Sequence, residues 1–129
     1  MNGTDLLNAA AALMQTDDAT EYNAFAPTYI NLVLAETYRT NNALRESKGL
    51  EALTSIPQIA ALEDGITYEE ELLTQALPLG VLCRIYVDED DNAKLSMYKQ
   101  EYAAAVAAAE AQATVIGQTE DVYAQDTEV

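Results

Sequence analysis

The chain contains no histidine and no tryptophan, one cysteine, one phenylalanine and only six basic residues. Each shortage excludes a class of function. Without histidine there is no imidazole general base, no Ser–His or Cys–His nucleophile and no imidazole metal ligand. One cysteine per chain excludes an internal disulfide, and Cys83 lies within an apolar stripe, so it reads as a small buried hydrophobe. Six bases stand against 22 acids, for a net charge of −16, and no segment is basic. Phosphate-led binding of DNA or RNA needs Lys and Arg to displace counterions, so it is excluded for the single chain, as is attraction to an anionic membrane. No apolar run approaches the ~20 residues of a membrane span. The opening MNGTDLLNAAAALM lacks the basic stretch of a secretory signal. The expected compartment is therefore soluble and cytosol-like. There is no glycine-rich phosphate loop. Carboxylates pair only in runs at a helix start and at a corner, where solvation explains them. The residues predict no enzyme, no cofactor and no metal.

What the chain does have is alanine, leucine and eight tyrosines, a composition suited to helices with half-exposed aromatic faces. Its organising stretch is 68–113, which reads as a helical hairpin. In the first arm Leu72, Leu73, Ala76, Leu79, Leu82, Cys83 and Tyr86 recur at three- and four-residue steps. Leu77, Val81, Ile85 and Val87 widen that stripe until almost no polar face remains, the mark of a buried helix. Pro78 and Gly80 are costly inside a helix, so packing must overrule them, with a bend expected. The second arm carries the narrower stripe Leu95, Tyr98, Tyr102, Val106 and Ala109, suited to a helix covering the core from outside.

Between the arms lies the acid run Asp88, Glu89, Asp90 and Asp91. Asp88, Asp90 and Asn92 match the first, third and fifth positions of an EF-hand loop. Ala93 and Lys99 occupy the places where glycine and glutamate are required. The run reads as a solvated corner, with Asp90 or Asp91 capping the second arm.

Before the hairpin, Thr4 is a suitable N-cap for a short helix whose face is Leu6, Leu7, Ala10, Leu13 and Met14. A second helix is predicted from about Ala19 to about Arg45, along a stripe from Tyr22 and Phe25 to Leu44. Pro27 permits two versions: one helix kinked near Asn23, the version favoured, or a separate turn followed by a helix beginning at Pro27. Lys48-Gly49 ends it with glycine as the left-handed cap. Residues 50–66 are irregular, interrupted by Pro57 and Asp64-Gly65, and fit either short strands or a helical turn. Their apolar residues Ile56, Ile59 and Leu62 are candidates for a partner interface. Thr67 to Glu70 has the form of a capping box for the hairpin's first arm. Residues 117–129 are acidic and aperiodic, which predicts a flexible tail with Val122 and Tyr123 as its anchors. The fold class is thus all-α: a bundle of about four helices in a domain 1–116, with a long irregular or short-strand insertion between the second and third.

This order, a long helix ending RTNNALRESKG, then IPQIAALEDGITY, then ALPLGVLCRIYVDEDDNAKLSMYKQEYAAAV, resembles the head–tail connector (adaptor) proteins of tailed bacteriophages over residues 4–113. The resemblance implies a structural virion protein. On that likeness, copies would form a dodecameric ring beneath the portal protein, assembled in the host cytoplasm, which would extend the DNA channel and dock the next neck or tail protein. On that footing Asp88, Glu89, Asp90 and Asp91 belong to a DNA-repelling wall through which DNA passes without specific binding. The alternative from another class is a small acidic regulatory protein, a DNA mimic acting on a nucleic-acid enzyme. A mimic calls for carboxylates in rows on one face, whereas these cluster at helix ends, a corner and a tail.

Overall fold

The computed structural model describes residues 1–16 and 20–127, with side chains as far as 114. Four α-helices form an all-α bundle: α1 (Gly3–Leu13), α2 (Ala26–Ser47), α3 (Leu77–Asp88) and α4 (Asn92–Thr127). Helix α3 is the centre, touching each of the other three. Leu77, Val81, Leu82, Ile85 and Tyr86 are all buried, as is Cys83. The near-continuous apolar sequence of α3 is buried against these three neighbours, except that Val87, assigned by its spacing to the widened stripe, is 56% exposed. Helix α4 covers it with Leu95, Tyr98, Tyr102 and Val106 partly buried and Ala109 buried, along the predicted stripe.

The proline in this hairpin is absorbed by a change of helical pitch. A π-helical turn, Leu72–Ala76, precedes α3, and the Leu77 N–H donates to the Leu72 carbonyl five residues back. Pro78 then falls in the first turn of α3. The helix runs unbroken from Glu70, so it is the π turn, whose N–H groups reach five residues back, that relieves the missing N–H and the crowding by the ring. Gly80 is required by packing. A Cβ there would lie 2.8 Å from Val33 Cγ1 and 2.9 Å from Tyr102 Cε1, so α2 and α4 both close onto α3 at this residue.

Several local expectations are corrected. The cap of α1 is Asn2, not Thr4. Asn2 Oδ1 accepts from the Asp5 N–H and Asp5 Oδ2 from the Asn2 N–H, both at 2.9 Å, a reciprocal capping box. Leu13, assigned to the buried face, is exposed, and Ala11 is buried instead. The favoured kinked second helix is replaced by the other version. Thr20–Tyr22 forms a separate 3-10 turn, α2 starts at Ala26, and Pro27 lies in its first turn. Phe25 is consequently outside the helix and 57% exposed. Thr67 does not cap the third helix. That helix begins at Glu70, and the Glu69 N–H before it is taken 2.7 Å away by the Asn41 side chain of α2. A tertiary acceptor has replaced the local one. Asp91 caps α4, accepting from the Lys94 N–H at 3.2 Å. Asp90 adopts the left-handed conformation (φ 58°) that turns the corner, a conformation aspartate tolerates better than most residues.

The sequence reading ends the last helix near Ala113. The backbone helix instead passes Gly117 and continues to Thr127. One glycine costs a helix only about 1 kcal/mol, and glutamine, glutamate and alanine favour continuation. Val122 and Tyr123 lie on this stretch, and their side chains are outside the described residues.

Cys83 is 8% exposed, and burial pushes its thiol pKa up. Native protein should react with a thiol reagent at least about tenfold more slowly than urea-unfolded protein, read by absorbance of the released chromophore. Equal rates would place Cys83 outside the core.

Candidate functional site: the strap along α2 and the acidic corner

Residues 49–69, which join α2 to the third helix, contain no strand. The nearest approach to one is an isolated bridge between Asn2 and Gly65. An extended chain outside a sheet must find other partners for its backbone polar groups. Here α2 supplies them from side chains. Gly49, at φ 78°, reverses the chain, and the Leu50 N–H returns to the Arg45 carbonyl at 2.9 Å. Asn42 then binds both backbone groups of Leu53: its Oδ1 accepts from the N–H at 2.8 Å and its Nδ2 donates to the carbonyl at 3.3 Å. Tyr38 donates to the same carbonyl at 2.5 Å. Asn31 repeats the pattern on Ile59, at 2.8 Å and 3.0 Å.

Asparagine carries an acceptor and donors on one short side chain, so it can stand in for the facing residue of a ladder. The spacing fits. Asn42 to Asn31 spans roughly 16 Å of helix, and Leu53 to Ile59 spans roughly 20 Å when extended. The segment is a strap running antiparallel to α2.

Its far end closes onto α1. The first N–H groups of a helix have no partners inside it, and those of Gly3 and Thr4 donate to the Asp64 carbonyl at 3.3 Å and the Leu62 carbonyl at 3.0 Å. A Cβ on Gly3 would meet Ile59 Cδ1 at 2.9 Å, so this contact requires glycine. Asp64 turns the chain by accepting from the N–H groups of Ala60 and Ala61 at 2.8 and 3.0 Å, bonds that hold its carboxyl below the usual range. Beyond the turn, Tyr68 donates to the Leu34 carbonyl at 2.5 Å. Asn41 is fully buried, and its Nδ2 has no partner among the described residues.

The strap therefore places the three predicted interface residues differently. Ile59 is 5% exposed and belongs to the core, which removes it as an interface candidate. Leu62 packs partly buried against the core. Ile56 alone of the three is outward, at 42% exposure. The missed signal is the asparagines at 31 and 42, eleven positions and so about three turns apart on one helix face.

Two charged clusters flank the strap and the corner. Lys48 bridges Glu69 at 3.1 Å and Glu71 at 2.7 Å, and Arg45 approaches Glu69 at 3.5 Å. The hydrogen bond from Lys48 holds the Glu71 carboxyl below its ordinary 4.5, against the opposing effect of burial. A carboxylate with a lowered pKa in the fold adds stability above its unfolded value and loses it as pH falls through the folded one. Glu71→Gln should accordingly lose about 0.5 kcal/mol less than the parent between about pH 6 and pH 3. Urea midpoints at the two pH values check this. At the corner, Asp88, Glu89 and Asp90 are exposed, and Glu89 accepts a hydrogen bond from Tyr22. Asp91 is half-buried as the α4 cap. Arg84 pairs with Glu36 across α3 and α2. Thr40 donates to Glu110 of α4 at 3.0 Å.

An apolar groove of about 540 Å³ lies between α1, the π-helical turn, α3 and α4, lined by Leu13, Pro78, Leu79, Ala104 and Ala108 among others. Among the described residues no cluster of three His, Cys, Asp or Glu side chains could hold a metal ion, and no helix is long and apolar enough to cross a membrane. Compared with known proteins, the chain matches no family model, no curated protein and no solved structure.

Proposed function

We propose that this protein is a structural ring subunit, a head–tail connector that stacks on a phage portal, extends the DNA channel and presents its far face to the next neck component. The observation that carries this reading is the strap. In an all-α bundle, some twenty residues of irregular chain between the second and third helices are held by dedicated side chains rather than by a sheet. A connection of that length in a small domain usually serves a function, and the resemblance assigns such an insertion to connectors. The charge supports it further. A wall rich in Asp and Glu, on a chain of net charge −16, repels DNA phosphates and lets the duplex slide.

On this reading, chain truncated after residue 116 folds with unchanged helical cooperativity yet fails to join the portal. Sedimentation of the truncated and full chains, each alone and mixed with a phage portal protein, tests both halves. Loss of folding in the truncated chain would assign residues 117–129 to the domain. Joint sedimentation of the truncated chain with the portal would remove the C-terminal stretch from the contact.

A further inference from the structure

One face of the bundle is apolar and unpaired among the described residues. Phe25 is 57% exposed, Leu32 43% and Val87 56%. Phe25, Tyr29, Leu32 and Glu36 follow the i, i+4, i+7, i+11 spacing of one side of α2. The Phe25 and Tyr29 rings stack at 6.4 Å. On α3, residues 84, 87 and 88 share a side by the same rule. Arg84 meets Glu36, and Asp88 lies close enough to Tyr29 to raise its pKa together with burial, the larger cause. The two sides therefore run antiparallel and adjacent, and Val87 lines the groove between them and α4 with Glu36, Arg84, Leu95, Lys99 and Tyr102. Acids bound the patch at one end: Asp88 by Tyr29, and Glu89 on the Tyr22 hydroxyl.

We propose that the Phe25–Tyr29–Leu32–Val87 face is a docking site for a basic segment of another protein, one that seats an apolar side chain on the patch and its Lys or Arg on Asp88 and Glu89. Charge decides against a second copy as the occupant. Six basic residues stand against 22 acids; Arg45, Lys48 and Arg84 are held in ion pairs within the chain, Lys94 sits 5.5 Å over the Tyr86 ring, and Lys99 lines the groove beside Val87. A second copy would thus bring mostly negative charge to an acidic rim, and like charges facing each other suppress pairing. Nucleic acid and anionic lipid are repelled for the same reason. Exposed aromatic residues with a charged rim are what a protein segment uses as anchor and orientation. This assignment stands apart from the ring reading, since any basic partner would satisfy it.

The test is a titration of isotope-labelled full chain with a synthetic amphipathic Leu/Lys helical peptide, followed by amide NMR. Expected are shifts centred on Phe25, Tyr29, Leu32, Val87 and Asp88, with affinity falling about tenfold in the Phe25→Ser/Leu32→Ser chain and falling again in high salt. Because both substituted side chains are exposed, that chain keeps its fold, which its unchanged remaining spectrum verifies. Shifts spread over all acids, equal binding by an all-Lys peptide, shifts centred on the Leu13–Leu79 groove, or self-association through this face in the absence of peptide would each overturn the proposal. Failure of the chain to stack on a portal would leave it standing.

Discussion

Replacing Gly80 with valine should destabilise the protein by about 3 kcal/mol, as overpacking at a closed three-helix contact does. A glycine in mid-helix is ordinarily a defect, and an alanine there would add about 1 kcal/mol of helix propensity. At this position that gain is opposed by geometry. The Cβ alone would stand 2.8 Å from Val33 Cγ1, 2.9 Å from Tyr102 Cε1 and 3.0 Å from Tyr102 Cζ. Val33 is fully buried, so it has little room to move. The two further methyls of valine add bulk to a contact that the Cβ already overfills, and α2 or α4 must part from α3. Urea unfolding reads the loss directly. The double variant Gly80→Val/Val33→Ala should recover part of it, because the second change removes the methyls that the first one meets. Such recovery is a coupling between neighbours that additive effects do not produce. Full stability in Gly80→Val would mean that the helices do not close at this point.

Removing the strap's asparagine clamps should cost about 2 kcal/mol at Asn31 and about 1 kcal/mol at Asn42, within the range for leaving partly buried backbone groups unpartnered. Asn31→Ala strips the Ile59 N–H and carbonyl of their partners, and Asn42→Ala does the same for the Leu53 N–H. The Leu53 carbonyl keeps Tyr38, so Asn42→Ala should be the milder of the two. Together they should free residues 53–62 while leaving the helices in place. Amide exchange in that segment should then rise by orders of magnitude at unchanged far-ultraviolet circular dichroism. Exchange that stays as slow as in the parent would show that burial of Ile59 alone holds the strap.

How far the fold could be read from the residues depended on whether the deciding interaction was local. The hairpin was legible because its apolar repeats are strong. Leu72, Leu82 and Tyr86 of the inner arm and Ala109 of the outer one are buried on the faces their spacing assigns. The Gly49 cap and the Asp91 cap were legible because their partners lie within four or five residues. The errors share one cause. Thr67 has good capping chemistry, yet Asn41, twenty-eight residues from Glu69, occupies the N–H at that helix start. Ile59 has the look of an exposed loop residue, but the side chain of Asn31 delivers it to the core. The start of α2 turned on Pro27, where both versions satisfied local rules and packing of Tyr22 against the corner selected one. The apolar face of Phe25, Leu32 and Val87 was hidden for a related reason. Phe25 and Val87 fit apolar helical stripes in sequence and Leu32 drew no assignment, and only the placement of α2 beside α3 leaves all three exposed.

On the proposed function, these surfaces serve assembly into a ring on a portal. The most direct measurement is electron cryomicroscopy of the purified chain mixed with a phage portal protein. A connector gives a second ring stacked beneath the portal, with a continuous channel lined by acidic side chains and the strap facing a neighbouring subunit or the far side. A portal that remains bare, with this chain staying monomeric beside it at saturating concentration, would contradict the connector reading.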